Sequence, residues 1–257
     1  MCALFAAVAV AGACTVTRDQ PNLVGQDIRV TLIHTSDIHS RLFPYYFVPN
    51  RFDSDLGLLP VNAPFGGAAR MATIVNNERA RANRSLWLDS GDCFQGAPVF
   101  NMFEGSVEMR TLSLMGLDAA VIGNHEFDRG VTNLFQQADN WAQYPLLAAN
   151  YAFDDPTNPQ ERSLGDIVAP YEIFDLNGVR IGVIGMGNWS SMTGIFDGGN
   201  SLGLRPLDDA QVVKDYVRLL RPSVDVVLLL SHLGLTEDQD LAGSDYAGEP
   251  TTEKLPL

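Results

Sequence analysis

Residues 30 to 40 read VTLIHTSDIHS, a short apolar run that passes directly into His34, Asp37 and His39. The chain holds four histidines in all, and two of them stand here with a carboxylate between them. Aliphatic and β-branched residues bounded by polar turn formers predict a strand buried on both faces, the kind found in parallel sheets covered by helices. On an extended backbone, Asp37 and His39 lie two residues apart and point to the same side. That spacing would let them hold one ion.

Outward from this stretch the pattern repeats. SLWLDS (85–90), DAAVIG (118–123), YPLLAAN (144–150), YEIFDL (171–176), VRIGVIGM (179–186) and VDVVLLLS (224–231) are strand-like. Residues 68–83, 101–116, 128–141 and 208–221 carry helical periodicity, with Asp208 and Asp209 opening the last. Strands alternating with helices predict an α/β protein with largely parallel sheets. Asn177-Gly178 between two apolar runs predicts a two-residue hairpin, so the sheets are mixed. Residues 42–67, which contain Pro44, Pro49, Pro60 and Pro64, predict a long surface excursion. From Ala242 onward the periodicity is lost, which predicts an irregular tail.

Composition narrows the function. With 46% hydrophobic residues in 257, the chain can bury a sizeable core. A formal charge of -14 argues against a surface for nucleic-acid polymers or anionic membranes. An anionic substrate would have to be drawn in by bound cations. At the N-terminus, Ala3 to Ala13 is apolar and too short to span a bilayer, as in the core of a secretory leader. The run AGAC resembles a bacterial lipoprotein signal in which Cys14 would carry the lipid anchor, although no basic residue follows Met1 and Ala11 stands where a larger aliphatic is usual. The expectation is an exported protein, periplasmic or membrane-anchored as a lipoprotein in a bacterium. Cys2 and Cys14 fall in this leader, so Cys93 has no partner for an internal disulfide.

Four of the strand-like runs end in residues able to bind metal: Asp37 and His39, Asp92 after Gly91, Asn124 and His125, and His232. Sites in open α/β sheets form beyond the carboxyl ends of strands. Carboxylate, imidazole and amide oxygen together suit divalent Zn, Mn, Fe or Mg. Gly91 permits a sharp turn before Asp92, whose two oxygens could each face a different ion. His125 and Asp128, three apart near a helix start, can meet on one face. Their neighbours read more plainly. His34 is expected to be a core histidine or a support behind the ligands, Asp89 to brace the Gly91 turn, and Cys93 to be a small core residue. Glu126 is expected to face solvent or brace its loop, and Arg70 to anchor its helix to the adjacent loop.

The ordered set IHTSDIH, GGAARMATIV (66–75), LDSGDCFQG (88–96), VIGNHEFDRG (121–130), PLLAANY (145–151) and VVLLLSHLG (226–234) resembles the calcineurin-like metallophosphoesterases, specifically the bacterial 5'-nucleotidase family, over residues 28 to 243. The resemblance implies a two-sheet α/β/β/α sandwich with mixed sheets. A catalytic domain would span 28–243, between a leader and linker (1–27) and an irregular tail (244–257). It further implies two divalent metal ions, with Asp37 and His39 on one, Asn124 and His232 on the other, Asp92 bridging, and His125 with Asp128 as a catalytic pair off the metals. The implied activity is hydrolysis of nucleotides or related small phosphate esters. Cyclic nucleotides, nucleotide sugars or sulfur esters are alternative substrates, and a binding protein that has lost catalysis is an alternative of another class. In one respect the chain departs from the family: the later Gly-His-x-His or Gly-His-x-Gln loop has no counterpart, since no histidine follows His232. The family's C-terminal substrate-gripping domain has no counterpart either. The expectation is therefore the first part of a longer enzyme, with three protein ligands per metal, poor metal retention and negligible turnover.

Overall fold

Along the chain run β1 (Thr31–Thr35), α1 (Arg51–Asp55), α2 (Ala68–Arg81), β2 (Ser85–Asp89), α3 (Pro98–Phe103), α4 (Ser106–Met115), β3 (Ala119–Val121), a 3-10 turn (His125–Phe127) and α5 (Gly130–Trp141). They are followed by β4 (Leu146–Leu147), β5 (Tyr151–Ala152), α6 (Pro159–Gly165), β6 (Val168–Ala169), β7 (Tyr171–Leu176), β8 (Val179–Met186), β9 (Arg205–Pro206), α7 (Asp209–Leu220), β10 (Val226–Ser231) and α8 (Leu235–Gly243). These elements belong to a computed structural model that describes residues 21–46, 48–57, 64–155, 159–189 and 204–243. Cys14 and the tail 244–257 lie outside the described residues.

Five strands form a parallel sheet in the order β1-β2-β3-β4-β6. A second sheet has the order β10-β8-β7, with β10 parallel and β7 antiparallel to β8. The antiparallel pair comes from the hairpin: Asn177 (φ 51°) and Gly178 (φ 88°) both take the left-handed conformation that a type I′ turn requires. β5 and β9 make a small antiparallel ribbon.

Alternation along each strand sorts the core into layers. Leu86, Leu88, Val121 and Leu147 of the first sheet face Val179, Ile181, Val183 and Leu230 of the second. On the first sheet's other face, Trp87 and Leu146 pack with Val75 of α2, Met109 and Leu112 of α4 and Leu134 of α5. On the second sheet's other face, Ile184, Met186 and Val227 pack with Val212, Val213 and Leu220 of α7. The result is helix, sheet, sheet, helix. Because both faces of β2 are covered, its run is continuously apolar rather than alternating.

Several local expectations need correction. Residues 101–116 form two helices, because Glu104 (φ 52°) and Gly105 (φ 104°) break the run with left-handed backbone. A side chain at Gly105 would stand inside the Phe94 ring, so packing enforces the break. Within 144–150 only Leu146 and Leu147 join the ladder. The short polar helix α8 precedes the tail, with Leu241 its one buried residue, so it lacks the periodicity that would reveal it. Asp208 caps α7 as expected, accepting from the Gln211 N–H at 2.8 Å.

The sheets approach each other tightly where β8 passes β4. A Cβ on Gly185 would run into the Leu147 Cβ and lie 2.8 Å from its carbonyl carbon. Gly185→Ala should therefore part the sheets and lower stability by about 1–3 kcal/mol. Denaturant unfolding measures this, and an unchanged midpoint would contradict the packing described.

Candidate metal centre

Beyond the last paired residues of β1 and β2, the two segments stay side by side. Ser90 donates to the Thr35 carbonyl (2.8 Å), Asp37 to Gly91 (2.9 Å), His39 to Asp92 (3.0 Å) and Ser40 to Cys93 (2.9 Å), all through main-chain N–H groups. To aim these donors, the backbone turns left-handed at Asp37 (φ 52°), His39 (φ 47°), Ser40 (φ 56°) and Asp92 (φ 58°). Such conformations cost non-glycine residues about 1–3 kcal/mol each and concentrate at functional sites. The extended backbone expected at 37–39 is thus not what brings the pair together. The two side chains meet anyway, with His39 Nε2 3.7 Å from Asp37 Oδ1. Gly91 turns sharply as expected (φ 99°), and a Cβ there would sit 2.7 Å from the Gly123 nitrogen.

Asp92 is buried at the middle of the cluster. Its Oδ1 accepts the His125 N–H (2.8 Å) and its Oδ2 lies 3.1 Å from His232 Nε2. His232 Nδ1 donates to the Ser90 carbonyl (2.7 Å), and His39 Nδ1 donates to the Phe94 carbonyl (3.2 Å). A carbonyl can only accept, so the hydrogen sits on Nδ1 in both rings and Nε2 is left as the ligand nitrogen. Asp37, Asp92 and His232 each offer a ligand atom, and these atoms all lie within 4.8 Å of one another. This donor set, with its histidine tautomers fixed from behind, fits a divalent cation of the hard or borderline type. Beside it, His125 Nδ1 is held by Asp128, with Oδ2 at 3.0 Å, and the His125 ring stands edge-on to His39 with centroids 5.2 Å apart. Asn124 is buried at the start of the 3-10 turn, immediately before His125.

The electrostatics follow from these contacts. The neighbouring His39 imidazole, with Nε2 3.7 Å from Oδ1, holds the Asp37 carboxyl down at about 2, helped by the Ser36 hydroxyl, which donates at 2.6 Å. Burial works against the His232 imidazolium, but the Asp92 carboxylate overrides it and lifts His232 to about 9. Asp37 raises His39, and Asp128 raises His125. Asp89 accepts from the Thr35 hydroxyl (2.5 Å) and the Gly91 N–H (3.0 Å), yet its burial still pushes it up to about 7. Burial and the Asp92 charge also raise Glu126, while the Asp92 and Cys93 N–H groups act in the other direction.

The neighbouring residues take supporting places. His34 Nε2 meets the Ser90 hydroxyl at 2.7 Å, behind the carbonyl that orients His232. Cys93 is a buried free thiol whose pKa burial raises well above its ordinary value. Arg70 donates to the Gly66 carbonyl at 3.0 Å, anchoring α2 to its loop. Glu126 is only 2% exposed and braces the loop rather than facing solvent. Sequence reasoning did not single out Asn188 or Asp238, which line, with His34, Asp37 and His232, a cavity of about 580 Å³. Asp238 accepts from the Ser231 hydroxyl at 2.6 Å, and neither Asn188 nor Asp238 lies in a motif that would have flagged it.

A family model described as calcineurin-like phosphoesterase matches residues 30–257. Snake venom 5'-nucleotidase of Crotalus adamanteus is 29% identical over 214 residues, covering 83% of this chain and 34% of that protein. The 5'-nucleotidase of Rattus norvegicus is 29% identical over 250 residues, covering 88% of this chain and 40% of that one. Among solved structures, a 5'-nucleotidase precursor from Thermus thermophilus matches with a TM-score of 0.69 and 31% identity, over 83% of this chain and 39% of the other. The chain thus spans well under half the length of these relatives.

Asp89 makes stability depend on pH in a definite direction. The folded chain keeps the Asp89 proton until about pH 7, whereas the unfolded chain releases it near 3.8. Stability contributed by the neutral acid is therefore present at low pH and lost as pH rises toward 7. In chelator-treated protein, unfolding free energy should fall by roughly 2–3 kcal/mol from this group between pH 5 and pH 8. Asp89→Asn should flatten that slope, and equal slopes in both proteins would refute the assignment.

Proposed function

The chain belongs to the calcineurin-like phosphoesterase family, and from that premise we propose that it is a binuclear-metal phosphoesterase hydrolysing nucleotides or related small phosphate esters. The observation that carries this reading is the convergence of Asp37, Asp92 and His232 within 4.8 Å, beside the His125–Asp128 pair. The relatives named above are 5'-nucleotidases, which supports a nucleotide as substrate.

In this reading Asp37 and His39 hold one ion, Asn124 and His232 hold a second, and Asp92 serves both. Asp92 Oδ1 accepts the His125 main-chain N–H while Oδ2 faces His232 Nε2, so the carboxylate is held between the groups that would bind the two ions. Divalent ions held there would acidify a water and neutralise phosphoryl oxygens during in-line displacement. With a formal charge of -14, the chain gains from such cations the attraction for a phosphate ester that its own side chains lack. His125 has its Nδ1 fixed by Asp128, which leaves Nε2 to hold a proton at the leaving oxygen. Asp128 keeps the ring oriented, and the His125 N–H on Asp92 ties the acid to the ligand turn. The catalytic domain would be residues 28–243. Export, with a lipid anchor at Cys14 in a bacterial envelope, rests on the apolar segment Ala3–Ala13 and the AGAC run.

In a chain extended to the length of its relatives, His125→Ala should keep its metal while kcat falls roughly 10²- to 10⁴-fold, the range for a lost general acid or base. Asp92→Asn should lose both metal and turnover. Metal content by mass spectrometry and release of phosphate from nucleoside monophosphates measure the two effects. Equal metal loss in both variants would remove His125 from its role, and an unmodified chain that takes up neither Mn²⁺ nor Zn²⁺ would sink the reading as a whole.

Metal uptake should also be proton-coupled. An ion must displace the proton that Asp92 keeps on His232 up to about pH 9. Apparent affinity should then weaken about tenfold for each pH unit below that value. Calorimetric titrations at pH 6 and pH 8 that give the same affinity would contradict it.

A further inference from the structure

We propose that Glu126 is a positioning residue of this centre, whose carboxylate sets where Asp92 points by gathering four main-chain N–H groups from two separate turns; the inference rests on the metal-site reading above. Oε2 accepts from Gly123 (2.7 Å) and Asp92 (2.9 Å), and Oε1 accepts from Cys93 (2.7 Å) and Phe94 (3.3 Å). One turn follows β2 and carries Asp92. The other follows β3 and carries Asn124 and His125. The last paired residues of these strands are Asp89 and, in β3's pairing with β2, Ala120, so both turns lie beyond that ladder. Two carboxylates tie the turns together: Glu126 through these N–H groups and Asp92 through the His125 N–H.

Four N–H groups aimed at one side chain call for a group that accepts on both oxygens. A carboxylate offers about four lone-pair sites and no donor, matching four inward-pointing N–H groups. A glutamine of the same shape has one accepting oxygen, and its NH₂ would face two donors. Asp92 needs this hold because its backbone is left-handed (φ 58°), a conformation that an unrestrained aspartate leaves readily. Freed from Glu126, the turn would relax and carry the Asp92 carboxylate away from His232. Glu126 acts through Asp92 and through the turn bearing Asn124, not by contact with substrate.

The test compares the unmodified chain with Glu126→Gln, Glu126→Asp and the core variant Leu134→Val. It reads Mn²⁺ and Zn²⁺ affinity, thermal midpoint and amide hydrogen exchange. Leu134 is fully buried in α5, so its variant reports the effect of lost stability alone. Glu126→Gln should weaken metal binding about 10- to 100-fold, the usual effect of losing a support behind the ligands. It should also speed exchange at Gly123, Asp92, Cys93 and Phe94, while Leu134→Val lowers the midpoint with metal affinity unchanged. Glu126→Asp keeps the charge but is too short to reach both turns, and should lose protection on one of them. Metal affinity in the glutamine variant within about twofold of the unmodified chain, against the tenfold or more expected, would overturn the proposal. If neither Glu126 variant folds, the unmodified chain decides: the four amides should open together, and exchange at unprotected rates would overturn it. An unmodified chain that binds no metal would overturn the phosphoesterase reading. Exchange would then decide Glu126 separately, with unchanged protection in the glutamine variant counting against it.

Discussion

The arrangement depends on one buried carboxylate. Asp92 follows the end of β2, takes the His125 N–H on one oxygen and faces His232 Nε2 with the other. Through it the turns after β2 and β3 meet the end of β10, which belongs to the other sheet. The centre therefore exists only when both sheets are docked. The apolar layer of Leu86, Leu88, Val121 and Leu147 against Val179, Ile181, Val183 and Leu230 performs that docking. Full burial of each such side chain contributes about 1.5–3 kcal/mol, which offsets the cost of assembling the polar centre.

The centre opposes folding in three ways. Asp37, His39, Ser40 and Asp92 are held left-handed, Asp89 and Glu126 are buried acids, and the chain as a whole is strongly acidic. Each buried acid is met by donors rather than by cationic side chains: the Thr35 hydroxyl and Gly91 N–H on Asp89, and four N–H groups on Glu126. Hydrogen bonds of this kind settle a buried acid without bringing a positive charge into the pocket. A cation bound between Asp37, Asp92 and His232 would thus meet no repulsion from the groups that hold these acids. Local violations of folding rules that gather at one place are the mark of a site under functional constraint.

Much of this was legible in particular residues. The continuous apolar runs announced buried strands, because a strand covered on both faces has no polar side to show. Asn177-Gly178 announced the hairpin, because few other pairs tolerate two left-handed residues in succession. Asp37, His39, Asp92, His125 and His232 were legible as a set, since parallel strands deliver their carboxyl ends to one edge. The backbone at 37–39 was not legible. Its left-handed turns answer to the carbonyls of Gly91, Asp92 and Cys93, which come from the segment after a different strand. The break between α3 and α4 was hidden for a similar reason, since the Phe94 ring that fills the space beside Gly105 comes from outside both helices.

By itself the sequence determined which segments become strands and helices, where the hairpin turns, and which residue types stand at the strand ends. Those features follow from periodicity and from local backbone preference, which act over a few residues. Only the tertiary structure decided the states of these groups. Ser90 lies 142 residues from His232, yet its carbonyl selects the tautomer that frees His232 Nε2. Glu126, open on sequence grounds to solvent or to the loop, becomes a buried acceptor for two turns. Asp89 and Asp37 are the same residue type, but one is pushed up to about 7 by burial and the other held down at about 2 by a neighbouring imidazole. Protonation, tautomer and ligand geometry depend on which groups come within about 3 Å and on how much water is excluded, and distant segments set both.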